Sequence, residues 1–107
     1  MPTKRNYGLD INHTQVALQG RAISHEIRIE ILRLLLNNQS VRNLDLSIRF
    51  RVSKSTIHHH IEILKAADLI YLMYENHYYE ILIPTHKKKL VKNLIHYKKM
   101  SKQSYFD

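Results

Sequence analysis

The sequence predicts a mainly α-helical domain with a small β-hairpin (α+β), in the order α-α-(β)-α-α-β-β-α. Three observations carry this. Apolar residues recur at helical spacing from Ile27 to Leu36 and again from Ile57 to Leu64. A short turn at Arg51-Val52 separates two helix-like segments, and two runs rich in Ile, Leu and Tyr flank the polar pair Glu75-Asn76. With 107 residues, 44% of them hydrophobic and 24% charged, the chain suits one domain with a single core.

Residues 1–9 read as a flexible basic arm, 10–100 as the domain and 101–107 as a tail. Asp10 or Asn12 can cap a first helix running to about Arg21, with Ile11, Val16 and Leu18 as its apolar positions. Ser24 is placed to cap a helix over His25–Asn37. Its faces are Ile27, Ile31, Leu34 and Leu35 on one side and Ile29, Leu32 and Leu36 on the other, so it should lie centrally. Ser40-Val41-Arg42 suits a short edge strand. Asn43 can cap Leu44–Phe50, where Leu46 and Phe50 share a face. Beyond the turn, Ser53 caps Lys54–Ala67, with Ile57, Ile61 and Leu64 in one stripe. Leu69–Tyr74 and His77–Ile83 then make a hairpin around Glu75-Asn76, where Asn76 tolerates a left-handed backbone. Pro84 stops the strand, and Thr85 caps a last helix to about Met100 with Leu90, Val91, Leu94 and Ile95 apolar. Two helices across a tight turn followed by a hairpin make a winged helix-turn-helix.

The segment from Ser53 to Ile70 resembles the recognition helix of ArsR-type winged helix-turn-helix regulators, which reads roughly S-x-S-T-V-S-x-H-L-x-x-L-x-x-A-G-L-V. Ser53, Ser55, Thr56, His60, Leu64, Ala67 and Leu69 match it, with Ile57, Ile61 and Ile70 as apolar equivalents. Ala22–Leu36 is similar to the family's preceding helix, with Arg28 and Ile31-Leu32 in place, and Asn76–Leu82 is similar to the second wing strand. Arg51 and Asp68 stand where the family has glycine, at positions that favour special backbone angles.

The resemblance implies a homodimeric transcriptional regulator of double-stranded DNA, expected to bind an inverted-repeat operator and repress. Charge agrees with it: 17 Lys and Arg against 9 Asp and Glu leave +8, a surface suited to a polyanion. Lys54, Ser55, Thr56, His58 and His59 would face the major groove, with Arg51 and Ser53 near phosphate. On the wing, Tyr74, Asn76 and His77 would reach the minor groove or the backbone. The plainer reading of these residues is a solvated polar face. In the family the first and last helices form the dimer, so Val16, Leu90, Leu94 and Ile95 would supply its seam. Lys87, Lys88, Lys89, Lys92, Lys98, Lys99 and Lys102 would add nonspecific attraction to phosphate.

No metal, cofactor or catalytic role is expected. Without cysteine there is no thiolate site, disulfide or thiol nucleophile. His58, His59 and His60 diverge by about 100° each along a helix and cannot converge on one ion. Family members that sense metal on the last helix use an Asp and His pair near its start and a His with a further His or Glu near its end. His86 and His96 lie in that region, but Pro84, Tyr97 and Met100 stand at ligand places, which leaves one histidine, too few to hold an ion. There is no Gly-rich phosphate loop and no paired carboxylate. No apolar run approaches the length needed to span a membrane, and the basic start leads into no signal-like stretch; a cytoplasmic protein is expected. Two other functions stay open. One is a winged-helix module that docks a regulatory protein partner through Leu44, Ile48 or the wing tyrosines; the other is an architectural or RNA-duplex binder.

Overall fold

The computed structural model of the chain describes residues 11–96. Helix α1 covers Ile11–Ala22, α2 Glu26–Asn37, α3 Asn43–Phe50 and α4 Lys54–Ala66. Strands β1 (Val41–Arg42), β2 (Tyr71–Tyr74) and β3 (Tyr79–Leu82) form one antiparallel sheet in the order β1-β3-β2. A 3-10 turn at Thr85–Lys87 leads into a final helix, α5, described over residues 88–96. The mainly α fold with a β-hairpin wing is therefore present. The basic arm and the tail lie outside the described residues, as do Asp10 as a cap and the end of the last helix at Met100.

The core assembles around α4, whose apolar stripe puts Ile57, Ile61 and Leu64 at 1% exposure or less. Against it lie Ile31, Leu32 and Leu35 of α2, Leu46 of α3, Ile81 of β3 and Val91 of α5, all essentially buried. Ile27, Ile29, Leu34 and Leu36 pack at the margin of this cluster. The two-sided apolar pattern of α2 thus does mark a central helix. Helix α1 is different: Leu18 is half-buried, but Val16 is 66% exposed.

Four local expectations are corrected. The N-cap of α2 is His25, whose Nδ1 accepts from the Ile27 N–H at 3.0 Å. Ser24 is diverted, because its hydroxyl donates to the Arg21 carbonyl at 2.8 Å. Asn43 is not a cap but the first residue of α3, and its Oδ1 accepts from the Tyr79 N–H at 3.0 Å, pinning the wing to the helix. The hairpin turns one residue later than expected. Tyr74 pairs with Tyr79 and the Glu75 N–H donates to the Tyr78 carbonyl at 2.9 Å, so Asn76-His77 is the central pair. Asn76 is not left-handed; Arg51 and Asp68 are the non-glycine residues with positive φ among those described. Finally, Thr85 makes no side-chain cap; the chain passes from Pro84 through the 3-10 turn before α5 begins.

Candidate nucleic-acid interface

The turn into α4 is built by its backbone. Arg51 adopts φ 56°, the left-handed geometry that reverses a helix end. The Val52 N–H then donates to the Ser47 carbonyl at 3.2 Å, while Ser47 Oγ donates to the Val52 carbonyl at 2.6 Å. This clamp sets the α3-to-α4 junction and leaves the Arg51 side chain exposed. Ser53 caps α4 as the sequence predicts, accepting from the Thr56 N–H at 3.1 Å. Its hydroxyl also donates to Thr56 Oγ1 at 3.0 Å and lies 3.1 Å from Ser55 Oγ. The Thr56 hydroxyl, once accepting, has its own proton to offer outward.

Helix α4 is sharply two-faced. Ile57, His60, Ile61, Ile63 and Leu64 are buried, whereas Lys54, Ser55, Thr56, His58 and His59 are exposed. With Arg51 and Ser53 they form a surface of hydroxyl, imidazole and cationic groups beside a helix N-terminus, whose free N–H groups favour anions. Glu62 is the acid of this face; its Oε2 lies 3.7 Å from His58 Nε2, an ion pair only when His58 is protonated.

The wing is fastened to α3 through Tyr79, a residue without a distinctive signal in the sequence. Its N–H is held by Asn43, its ring lies 5.6 Å from that of Tyr74, and burial raises its phenol pKa, with smaller contributions from Tyr74 and Glu62. Arg42 of β1 lies over the Tyr78 ring at 5.3 Å. Alternation along β3 points to Tyr79 as inward, but its link to α3 is tertiary. Tyr74, Asn76 and His77 are all exposed at the free end of this anchored hairpin. Every predicted DNA-facing side chain is therefore on the surface, in two groups carried by α4 and the wing.

The predicted dimer residues separate. Val16 is exposed, Leu90 and Leu94 are half-buried, and Ile95, at 9% exposure, belongs to the chain's own core. Of the apolar pair on α3, Leu44 is half-buried and Ile48 is 76% exposed. Among the described residues no three His, Asp or Glu side chains are grouped to hold a metal ion, and no helix is long and apolar enough to cross a membrane.

Residues 25–71 match the family model described as bacterial regulatory protein, arsR family. No curated protein matches the chain in sequence. Among solved structures, the chain is similar to HlyU from Vibrio cholerae N16961, with 25% identity, a TM-score of 0.65, and 78% of this chain and 90% of that chain covered. It shares its fold with a transcriptional regulator homologue from Pyrococcus horikoshii OT3 (12% identity, TM-score 0.65, 86% and 97% covered). The same holds for the antimony-specific transcriptional repressor AntR (10% identity, TM-score 0.64, 96% of both chains covered). The stretch from the start of α2 to the start of β2 is thus an ArsR-type winged helix-turn-helix, the DNA-binding unit of a transcription regulator.

Proposed function

We propose that the chain is a cytoplasmic, sequence-specific repressor that binds an inverted-repeat operator as a homodimer. The supporting observation is the exposed face of α4, where Lys54, Ser55, Thr56, His58 and His59 stand on the first turns after the Arg51 and Ser53 junction. Hydroxyls and lysine suit phosphate oxygens and guanine edges, and the first turns of such a helix are those that enter a major groove. Tyr74, Asn76 and His77 on the wing would contact the adjacent backbone or minor groove. Two-fold symmetry about a seam of Val16, Leu90 and Leu94 would set two such helices roughly 34 Å apart, one turn of the duplex.

Binding of the native protein to a genomic fragment pool at moderate salt tests the reading. Enrichment of fragments that share an inverted repeat is expected. Equal retention of all sequences leaves only a nonspecific binder. Gel-filtration mass with Val16→Glu tests the seam: the native chain should elute as a dimer and the variant as a smaller species. Ile48, exposed on α3, favours a second reading in which a regulatory protein docks there. Recovery of one stoichiometric protein that Ile48→Asp loses, with DNA binding kept, would establish it.

A further inference from the structure

Arg28 and His60 are the polar side chains buried among the described residues, at 6% and 5% exposure. Arg28 extends from the first turn of α2 to three other segments. Its Nε donates to the Ala22 carbonyl at 3.2 Å and its Nη2 to the Arg21 carbonyl at 2.9 Å, both at the C-terminal end of α1. Nη2 also reaches Ser24 Oγ at 3.2 Å, and Nη1 lies 3.0 Å from His60 Nδ1 on α4. No carboxylate is paired with Arg28 among the described residues. The partial negative charge at the end of α1 takes that place.

A guanidinium only donates, so the Arg28–His60 bond requires a bare lone pair on Nδ1. That places the imidazole proton on Nε2. In the imidazolium both nitrogens carry protons, and N–H would oppose N–H. The ionisable groups facing His60 are His25, with its ring 4.5 Å away, Arg28 itself, and His59 at 5.7 Å; Arg21 lies beside Arg28. None is an acid. Burial foremost, then His25, Arg28 and His59, hold the His60 pKa down to about 4.

We propose that Arg28 and His60 are positioning residues for DNA recognition: their bond locks α4 to the C-terminal carbonyls of α1, and the lock requires the Nε2–H tautomer of His60. The proposal deepens the DNA-binding reading and rests on it. In a dimer seated on α1, the angle between α1 and α4 decides where each reading face falls on its half-site. The ring stays neutral throughout the neutral range, so the lock is permanent there and does not sense pH.

Nitrogen chemical shifts of His60 read the tautomer directly. A protonated Nε2 beside a bare Nδ1 is expected, and a protonated Nδ1 overturns the proposal. Residual dipolar couplings then give the orientation of α4 against α1 in the native chain and in Arg28→Lys, His60→Leu and His60→Gln. Lysine keeps the charge but not the fork that reaches α1 and α4 together. Leucine fills space without an acceptor. Both should tilt α4 and weaken binding about tenfold to a duplex that the native protein selects from a random-sequence pool. His60→Gln, whose amide oxygen accepts at any pH, should keep the native angle and affinity. The native chain should lose affinity as pH falls toward 4, and His60→Gln should remove the part of that loss that comes from His60. A native angle in both Arg28→Lys and His60→Leu refutes the lock; if Arg28→Lys does not fold, the two His60 variants decide. Should the pool yield no duplex, the DNA reading fails, while the tautomer and the couplings still decide the lock.

Discussion

Arg51 sits at φ 56°, a backbone geometry that costs an L-residue about 1 kcal/mol and glycine almost nothing. Its exposed side chain lies beside the α4 N-terminus, so strain and proposed phosphate contact act in opposite directions. Arg51→Gly should therefore raise stability by about 1 kcal/mol while lowering the steepness of the salt dependence of duplex binding by about 1. Urea midpoints and a salt titration measure the two effects, and a destabilised glycine variant would contradict the strain argument. His60 has a second measurable consequence. The unfolded ring takes its proton near pH 6.5, but the folded ring resists until about 4, so between those values the unfolded state binds more protons. Stability is full above pH 6.5 and declines as pH falls to about 4, by about 3 kcal/mol across the window. His60→Gln should lose that part of the acid slope, read from urea midpoints across the same range.

Among the elements, α1 is the weakest by its own sequence. Gly20 lies inside it, and a Cβ built there meets nothing within 4 Å. Gly20→Ala should thus stabilise by about 0.5–1 kcal/mol, several degrees in Tm by circular dichroism. Helices α2 and α4 were legible because apolar periodicity and core burial coincide, from Ile31 to Leu35 and from Ile57 to Leu64. The Ser53 cap was legible because its partner, the Thr56 N–H, is three residues away. Other features depend on partners far along the chain. Ser24 and His25 are both plausible caps, and the choice follows from where Arg28 reaches. Asn43 is drawn to Tyr79, 36 residues on, and that bond helps set where the hairpin turns. A hairpin with buried Ile81 and Ile83 tolerates no slip, since one residue would turn its inner face outward. The exposure of the polar residues of α4 follows from the position of its apolar stripe, whereas the Arg28–His60 bond beneath them joins residues 32 apart in sequence and leaves no local signature.

For the molecule as a whole, a net charge of +8 favours any polyanion, and in the proposed operator reading specificity would come from a few side chains on top of that field. The two contributions should separate by mutation. Replacing Lys88 and Lys89 with Gln should flatten the slope of log affinity against log salt by up to about 2 and leave sequence preference unchanged. Ser55→Ala with His58→Ala should relax preference among operator variants at an unchanged slope. Fluorescence anisotropy with matched and scrambled duplexes distinguishes them.

The strand order β1-β3-β2 leaves the first strand of the wing outermost, with one backbone edge unpaired within the sheet. That strand reads Tyr71-Leu72-Met73-Tyr74, without a charge or proline to discourage another strand from adding to it, and Tyr71, Met73 and Tyr74 are all exposed. Among the described residues this edge is open to pairing with the same strand of another copy. As concentration rises, cross-chain strand addition should limit its solubility first, and a lysine at Met73, placed as a gatekeeper, should raise the concentration at which light scattering begins without moving the melting transition.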